Sequence, residues 1–177
     1  MPSTDPLKKS RRASKTLLIF GEGLCEEMFL KHLRSLYSYN SGVAITIRKG
    51  RGGNAQGIVI DAHRIPGAYN RKIVVFDNDK SESEINKARA EAKKRRIVLL
   101  ENTPCLEFVL LSIVNGKPVG QSSSWCKSEF ESKFMGQAKR GEPSEYMKVF
   151  PKTLLDDQRA TIPKLNRLVD IMEGNIP

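Results

Sequence analysis

No apolar run in this sequence approaches the roughly 18 residues that a membrane-spanning helix needs. The amino terminus, MPSTDPLKKSRRASK, also lacks the apolar core of a signal peptide. Both absences predict a cytoplasmic chain with no membrane partner. The three cysteines, Cys25, Cys105 and Cys126, are far apart and odd in number, so they suggest neither a disulfide framework nor a paired-cysteine zinc site, and free thiols are expected. The two histidines, His32 and His63, fall inside helical patterns without ligand spacing and read as packing or surface residues. There is a single tryptophan, Trp125, and the aromatics form no evident base-stacking platform, which leaves structure-directed RNA recognition open. Neither a G-x-x-x-x-G-K-[ST] loop nor a G-x-G-x-x-G fingerprint occurs. The stretch FGEGLCEE has the wrong spacing and an acid where phosphate would dock, which argues against another phosphate-processing α/β enzyme.

What the chain does have is positive charge. Its 30 Lys and Arg against 20 Asp and Glu give +10 and a pI near 9.7, an excess that asks for a partner of opposite sign, nucleic acid first. A length of 177 residues, 39% of them hydrophobic, gives one sizeable core, and a monomer or small homo-oligomer is expected. Part of the charge lies in residues 1–15 (Lys8, Lys9, Arg11, Arg12, Lys15). They show no periodicity and read as a disordered arm, either a solubilising tail or a grip on phosphates.

Strand and helix patterns alternate after that arm. KTLLIFGEG (15–23) is a strand closed by glycines, and CEEMFLKHLRSLY (25–37) is a helix. VAITIRKG (43–50) is a strand, AQGIVIDAHRI (55–65) a helix and 71–76 a second buried strand. SESEINKARAEAKKR (81–95) is a serine-capped helix, and RIVLLEN (96–102) a further strand. This order predicts an α/β fold, a single Rossmann-like domain over 16–116 with a mainly parallel sheet covered on both faces. PCLEFVLLSIVNGK (104–117) predicts a helix with Pro104 at its first position. Residues 118–124 read as a loop, and WCKSEFESKFMG and PKLNRLVDIMEG as shorter helices. A helical extension over 117–177 is therefore expected to pack on the same core.

The stretch KIVVFDNDKSES ends a buried strand in two aspartates, Asp77 and Asp79. In a parallel sheet every strand tip faces one way and ligands bind beyond the carboxyl ends, so Glu22, leaving the first strand, converges on the same edge. Alternation along D-N-D lets Asp77 and Asp79 address one point while Asn78 does not. Glu26 lies one helical turn beyond Glu22. Crowded carboxylates repel unless a cation sits between them, and all-oxygen ligands favour Mg²⁺ or Mn²⁺ over zinc. The competing reading is that the aspartates cap the helix that begins near Ser81.

These segments resemble a family. LLIFGEGLCEEMFLKHL is similar to the E-G-x-x-E motif, and VVFDNDK to the D-x-D motif, of Toprim domains, the catalytic fold of topoisomerases, primases and OLD-type nucleases. ENTPCLEFVLLSIV resembles the N-P-C-F-E-x-W-L-L segment of the RloB-like branch, and EYMKVF its Y-x-K element, over roughly residues 16–150. The resemblance implies a magnesium-dependent nuclease of bacterial anti-phage defence. It makes Glu22 a ligand or general base, Glu26 a supporting acid, Asp77 and Asp79 metal ligands, Glu107 a further acid and Lys148 the motif lysine. The sequence departs from the pattern at Cys25, where Thr is frequent, at Thr103, inserted between Asn102 and Pro104, and at Lys80, where acids are common. An OLD-type relative carries an ATPase for which this chain has no segment, so any ATPase or sensor is expected on a separate protein.

Metal held by Glu22, Asp77 and Asp79 would polarise a scissile phosphate, with Lys148 neutralising developing charge. Arg48, Lys49, Arg51 and Lys80 are the candidate nucleic-acid contacts. GRGGN (50–54) permits close backbone approach to phosphate or is simply a strand-to-helix loop. KKRR (93–96) reads as a solvated helix end or a second phosphate grip. The alternative to a nuclease is a non-catalytic nucleic-acid-binding or partner-binding module that binds without cutting.

Overall fold

The computed structural model describes residues 14–175, so most of the expected basic arm lies outside the described residues. Its last residue does not: Lys15 opens the first strand and pairs with Val43. The fold is α/β, with four parallel strands, β1 (Lys15–Gly21), β2 (Val43–Lys49), β3 (Arg71–Asp77) and β4 (Val98–Asn102), in the order β2-β1-β3-β4. Helices α1 (Leu24–Tyr37), α2 (Ala55–Arg64) and α3 (Glu82–Arg95) connect them in turn. After β4 come α4 (Leu106–Asn115), α5 (Ser123–Lys133), a short 3₁₀ turn (Gln137–Lys139), α6 (Pro143–Val149), α7 (Lys152–Arg159) and α8 (Pro163–Met172). Among the described residues no helix is long and apolar enough to cross a membrane.

The strands read as continuous apolar runs because both faces of the sheet are covered. Alternation sorts their side chains. Leu17, Ile19, Ile73 and Val75 join the helices α1 and α4, whereas Phe20, Val74 and Phe76 meet α2 and α3 on the opposite face. From β1 the chain leaves through α1 on one face to β2, then returns through α2 on the other face to β3. That reversal puts the switch point between the carboxyl ends of β1 and β3, where open α/β sheets form their binding crevice.

The carboxyl-terminal helices extend the larger of the two clusters. Phe130, Phe150, Leu155, Leu165 and Leu168 are buried in it beside Phe29 and Leu110, and the Phe29 and Phe150 rings meet edge to face with centroids 5.4 Å apart. Burying each such side chain contributes about 2 kcal/mol, so apolar packing holds the extension to the core.

Three local expectations change. Pro104 is not the first helical residue; α4 starts at Leu106 with Cys105 at its N-cap, because the free Leu106 N–H meets an acceptor from β3. Residues 123 and 124 belong to α5, whose N-cap Ser122 accepts the Trp125 N–H. Helices α6 and α7 were not anticipated, being too short, at seven and eight residues, to display an apolar period.

Candidate active site

Glu22 sits immediately beyond β1, where its N–H donates to the Val75 carbonyl at 3.0 Å and its carbonyl accepts from Gly52 at 3.2 Å. Its carboxylate reaches across to β3: Oε2 accepts the Asp77 N–H at 3.1 Å, and Oε1 accepts from the Lys80 ammonium at 2.8 Å. The preceding Gly21 is required by closeness, since a Cβ there would lie 2.6 Å from the Glu26 Cβ. Its absence lets the first turn of α1 settle onto the strand tip and brings Glu26 into the cluster. Glu26 Oε2 accepts the Gly23 N–H at 3.0 Å. Burial first, then the nearby Asp77, pushes the Glu26 carboxyl up to about 8.

Asp77 ends β3 and is buried. Its Oδ1 accepts the Leu106 N–H at 2.8 Å, and its Oδ2 lies 3.2 Å from the Lys127 ammonium of α5. Burial pushes its carboxyl up to about 6, Lys127 working against the rise and Glu107 adding to it. Asp79 brings Oδ2 to the same ammonium at 2.9 Å, with Oδ1 3.9 Å from Lys80. Burial raises its pKa, but the hydrogen bond and charge of Lys127 outweigh that and hold it below the usual aspartate value. For Lys127 the balance is reciprocal: burial lowers its pKa, and the two aspartates more than compensate, holding it above the ordinary lysine value. The two aspartates thus address one point, as the alternation of D-N-D predicts. Asn78 turns the other way and donates to Glu101 at 2.8 Å. Neither aspartate caps α3; Ser81 does, accepting the Glu84 N–H.

Glu107, in the first turn of α4, is buried, and its Oε2 has no hydrogen-bond partner among the described residues. The Oδ1 of buried Asn102, at the tip of β4, is likewise unpartnered. A cleft of about 520 Å³ opens over the cluster and is lined by Glu22, Glu26, Asp77 and Glu107. Lys49, Arg51, Lys127 and Arg140 line the same cleft. The GRGGN loop supplies one of its walls: Gly52 adopts φ +77° and Gly53 φ +112°, which only glycine takes readily, and Asn54 caps α2 by accepting the Gly57 N–H.

Other expected residues lie apart. Lys148 does not line the cleft; on α6 it is exposed and pairs with Glu145 at 2.6 Å. Arg48, on edge strand β2, donates to the neighbouring Ile47 carbonyl and does not line the cleft either. Lys80 is held in the carboxylate cluster rather than presented outward. The KKRR run ends α3, two residues before β4, at the amino-terminal edge of the sheet opposite these strand tips, so it is a helix end and no wall of the cleft. His32 is buried and its Nε2 bonds the Phe150 carbonyl, His63 is exposed near the end of α2, and the three cysteines are free thiols.

Lys127, Arg140 and Gln137 reach the cleft without any sequence signal. Lys127 sits among the polar residues of an amphipathic helix, and only the docking of α5 aims it at the strand tips.

Among the described residues no three His, Cys, Asp or Glu side chains stand in ligand geometry. The carboxylates are spread over two lysine ammoniums, Glu22 on Lys80, Asp77 on Lys127 and Asp79 beside both. The chemistry of the donor set, though not its spacing here, is of the kind a hard divalent cation takes. The set consists of oxygens only, two carboxylates already share one positive centre, and Glu107 contributes a buried oxygen with no donor among the described residues. Comparison with protein-family models, curated proteins and solved structures gave no match to this chain.

Proposed function

We propose that this chain is a divalent-metal-dependent nuclease that hydrolyses phosphodiester bonds of RNA or DNA. The observation that carries the reading is the convergence of Glu22, Glu26, Asp77, Asp79 and Glu107 at the sheet's switch point, four of them lining a cleft edged by Lys49, Arg51 and Arg140, in a chain of charge +10. Asp77, Asp79 and Glu22 are the residues that would hold Mg²⁺ or Mn²⁺, with Glu107 beside them. The ion would supply the charge that polarises a scissile phosphate and acidifies water.

The chain's own residues do the rest. Lys49 and Arg51, which line the cleft, bind flanking phosphates. Lys127 compensates the Asp77–Asp79 pair from α5 and lines the cleft, where its ammonium would offset charge developing on the phosphate. Arg140, which also lines the cleft and pairs with Glu131 at 2.9 Å, adds positive charge toward the substrate backbone.

The resemblance to RloB-like Toprim nucleases adds a place in bacterial anti-phage defence, acting with a separate ATPase or sensor protein and with transfer RNA among the candidate substrates. A second reading has its own support: each aspartate already has a lysine partner and Asp77 also caps α4, as expected of a non-catalytic nucleic-acid-binding module. End-labelled RNA and DNA incubated with the protein in Mn²⁺, Mg²⁺ or a chelator separate the two. Cleavage that requires metal supports the nuclease. Salt-sensitive binding with no cleavage of any substrate supports the module.

A further inference from the structure

A second cavity, of about 650 Å³, lies between α4, the chain that follows it and the turn from α7 to α8. It shares no lining residue with the acidic cleft, and its size is within the roughly 300–1,000 Å³ typical of small-molecule pockets. Phe108, Val109 and Ile162 give it apolar walls, and its lining also includes two lysines, the partly buried Lys164 and the exposed Lys117.

Neither lysine makes an ion pair or hydrogen bond among the described residues, although Lys164 is partly buried. The carboxylate in the wall does not answer for them. Glu101 accepts from Arg89 through both oxygens at 2.8 Å, and its Oε2 also accepts from Asn78 at 2.8 Å. Burial accordingly holds the Lys164 pKa below the ordinary lysine value, with Glu101 pulling the other way. The same cavity meets the start of α8, where Ile162 offers no side-chain cap and Pro163 occupies the first turn, so the positive end of the helix dipole adds to the two lysines. An ammonium withdrawn from water beside apolar walls, with no counter-charge of its own, is stabilised by an anion and opposed by a neutral guest.

We infer that this cavity binds a small amphipathic organic anion, its apolar body against Phe108, Val109 and Ile162 and its acidic group at Lys164 and Lys117. This site is independent of the nuclease reading, and its test does not use cleavage.

The probe is anilinonaphthalene sulfonate, an aromatic anion whose fluorescence rises on binding. It is titrated into the full chain and then displaced with naphthoate or with the neutral naphthalenemethanol. Lys164→Gln removes the charge, and Thr161→Trp plugs the cavity from an exposed position. Lys87→Gln, an exposed lysine on α3, controls for net charge. The parent and Lys87→Gln are expected to bind one probe with equal affinity, each of the other two variants to bind about tenfold more weakly or worse, and naphthoate to displace the probe about tenfold better than the alcohol. Absence of saturable binding to the parent below about 1 mM, equal affinity across all the variants, or equal displacement by acid and alcohol would each overturn the inference.

Discussion

The Asp77 carboxylate accepts the Leu106 N–H at 2.8 Å, tying the tip of β3 to the first turn of α4. One oxygen thereby satisfies a helix-terminal amide that has no partner within its own helix, while the other faces Lys127 in the cleft. Structural and chemical roles are divided between two atoms of one side chain.

That division separates two substitutions. Asp77→Asn keeps a carbonyl oxygen for Leu106 and should stay folded, whereas Asp77→Ala loses the cap and should be destabilised by about 1–2 kcal/mol. Chemical denaturation of the three proteins without metal measures this. Equal loss in the Asn and Ala variants would mean that the cap contributes little.

Lys127 makes the opposite prediction. With its ammonium removed by Lys127→Ala, Asp77 loses its lysine partner and Asp79 keeps the 3.9 Å approach of Lys80, and the metal-free protein should lose about 1 kcal/mol, a modest figure because the lysine is partly exposed to solvent. Added Mn²⁺ should then raise the melting temperature of the variant more than that of the parent, because the ion no longer competes with an ammonium. An equal rise in both would show that metal and lysine do not share the position.

Much of this arrangement was legible in the sequence. The apolar runs 17–20 and 73–76 lead into Glu22, one glycine on, and Asp77, and alternation of strands with helices is enough to put those acids on one edge of a parallel sheet. Lys127 was not legible, because a lysine on an amphipathic helix looks the same whether it faces water or a carboxylate pair until the helix is docked. Lys148 misled for the complementary reason: the short EYMKVF motif fixes a tyrosine and a lysine on one helix, but Tyr146 takes the buried face and Lys148 is left exposed, its ammonium paired with Glu145. The start of α4 escaped because its first amide is answered from β3, far away in sequence.

His32 gives a pH dependence away from the cleft. It is buried with Nε2 2.8 Å from the Phe150 carbonyl, and burial lowers its pKa from the ordinary 6.5, the hydrogen bond working in the other direction. The unfolded chain therefore binds a proton more readily than the folded one. The contribution is complete above about pH 6.5 and is lost progressively as pH falls from there toward the lowered native value. His32→Gln, which can still donate to Phe150, should lose less melting temperature than the parent between about pH 7.5 and about pH 5. Parallel losses would show that His32 is not the group responsible.

The account stands most directly on whether the acids at the strand tips hold a divalent ion. Calorimetric titration of Mn²⁺ into the parent and into Asp77→Asn, both confirmed folded by circular dichroism, measures that. The expected result is saturable binding to the parent and affinity at least about tenfold weaker for the variant. Equal affinity in both proteins, or no saturable binding to the parent, would contradict the account.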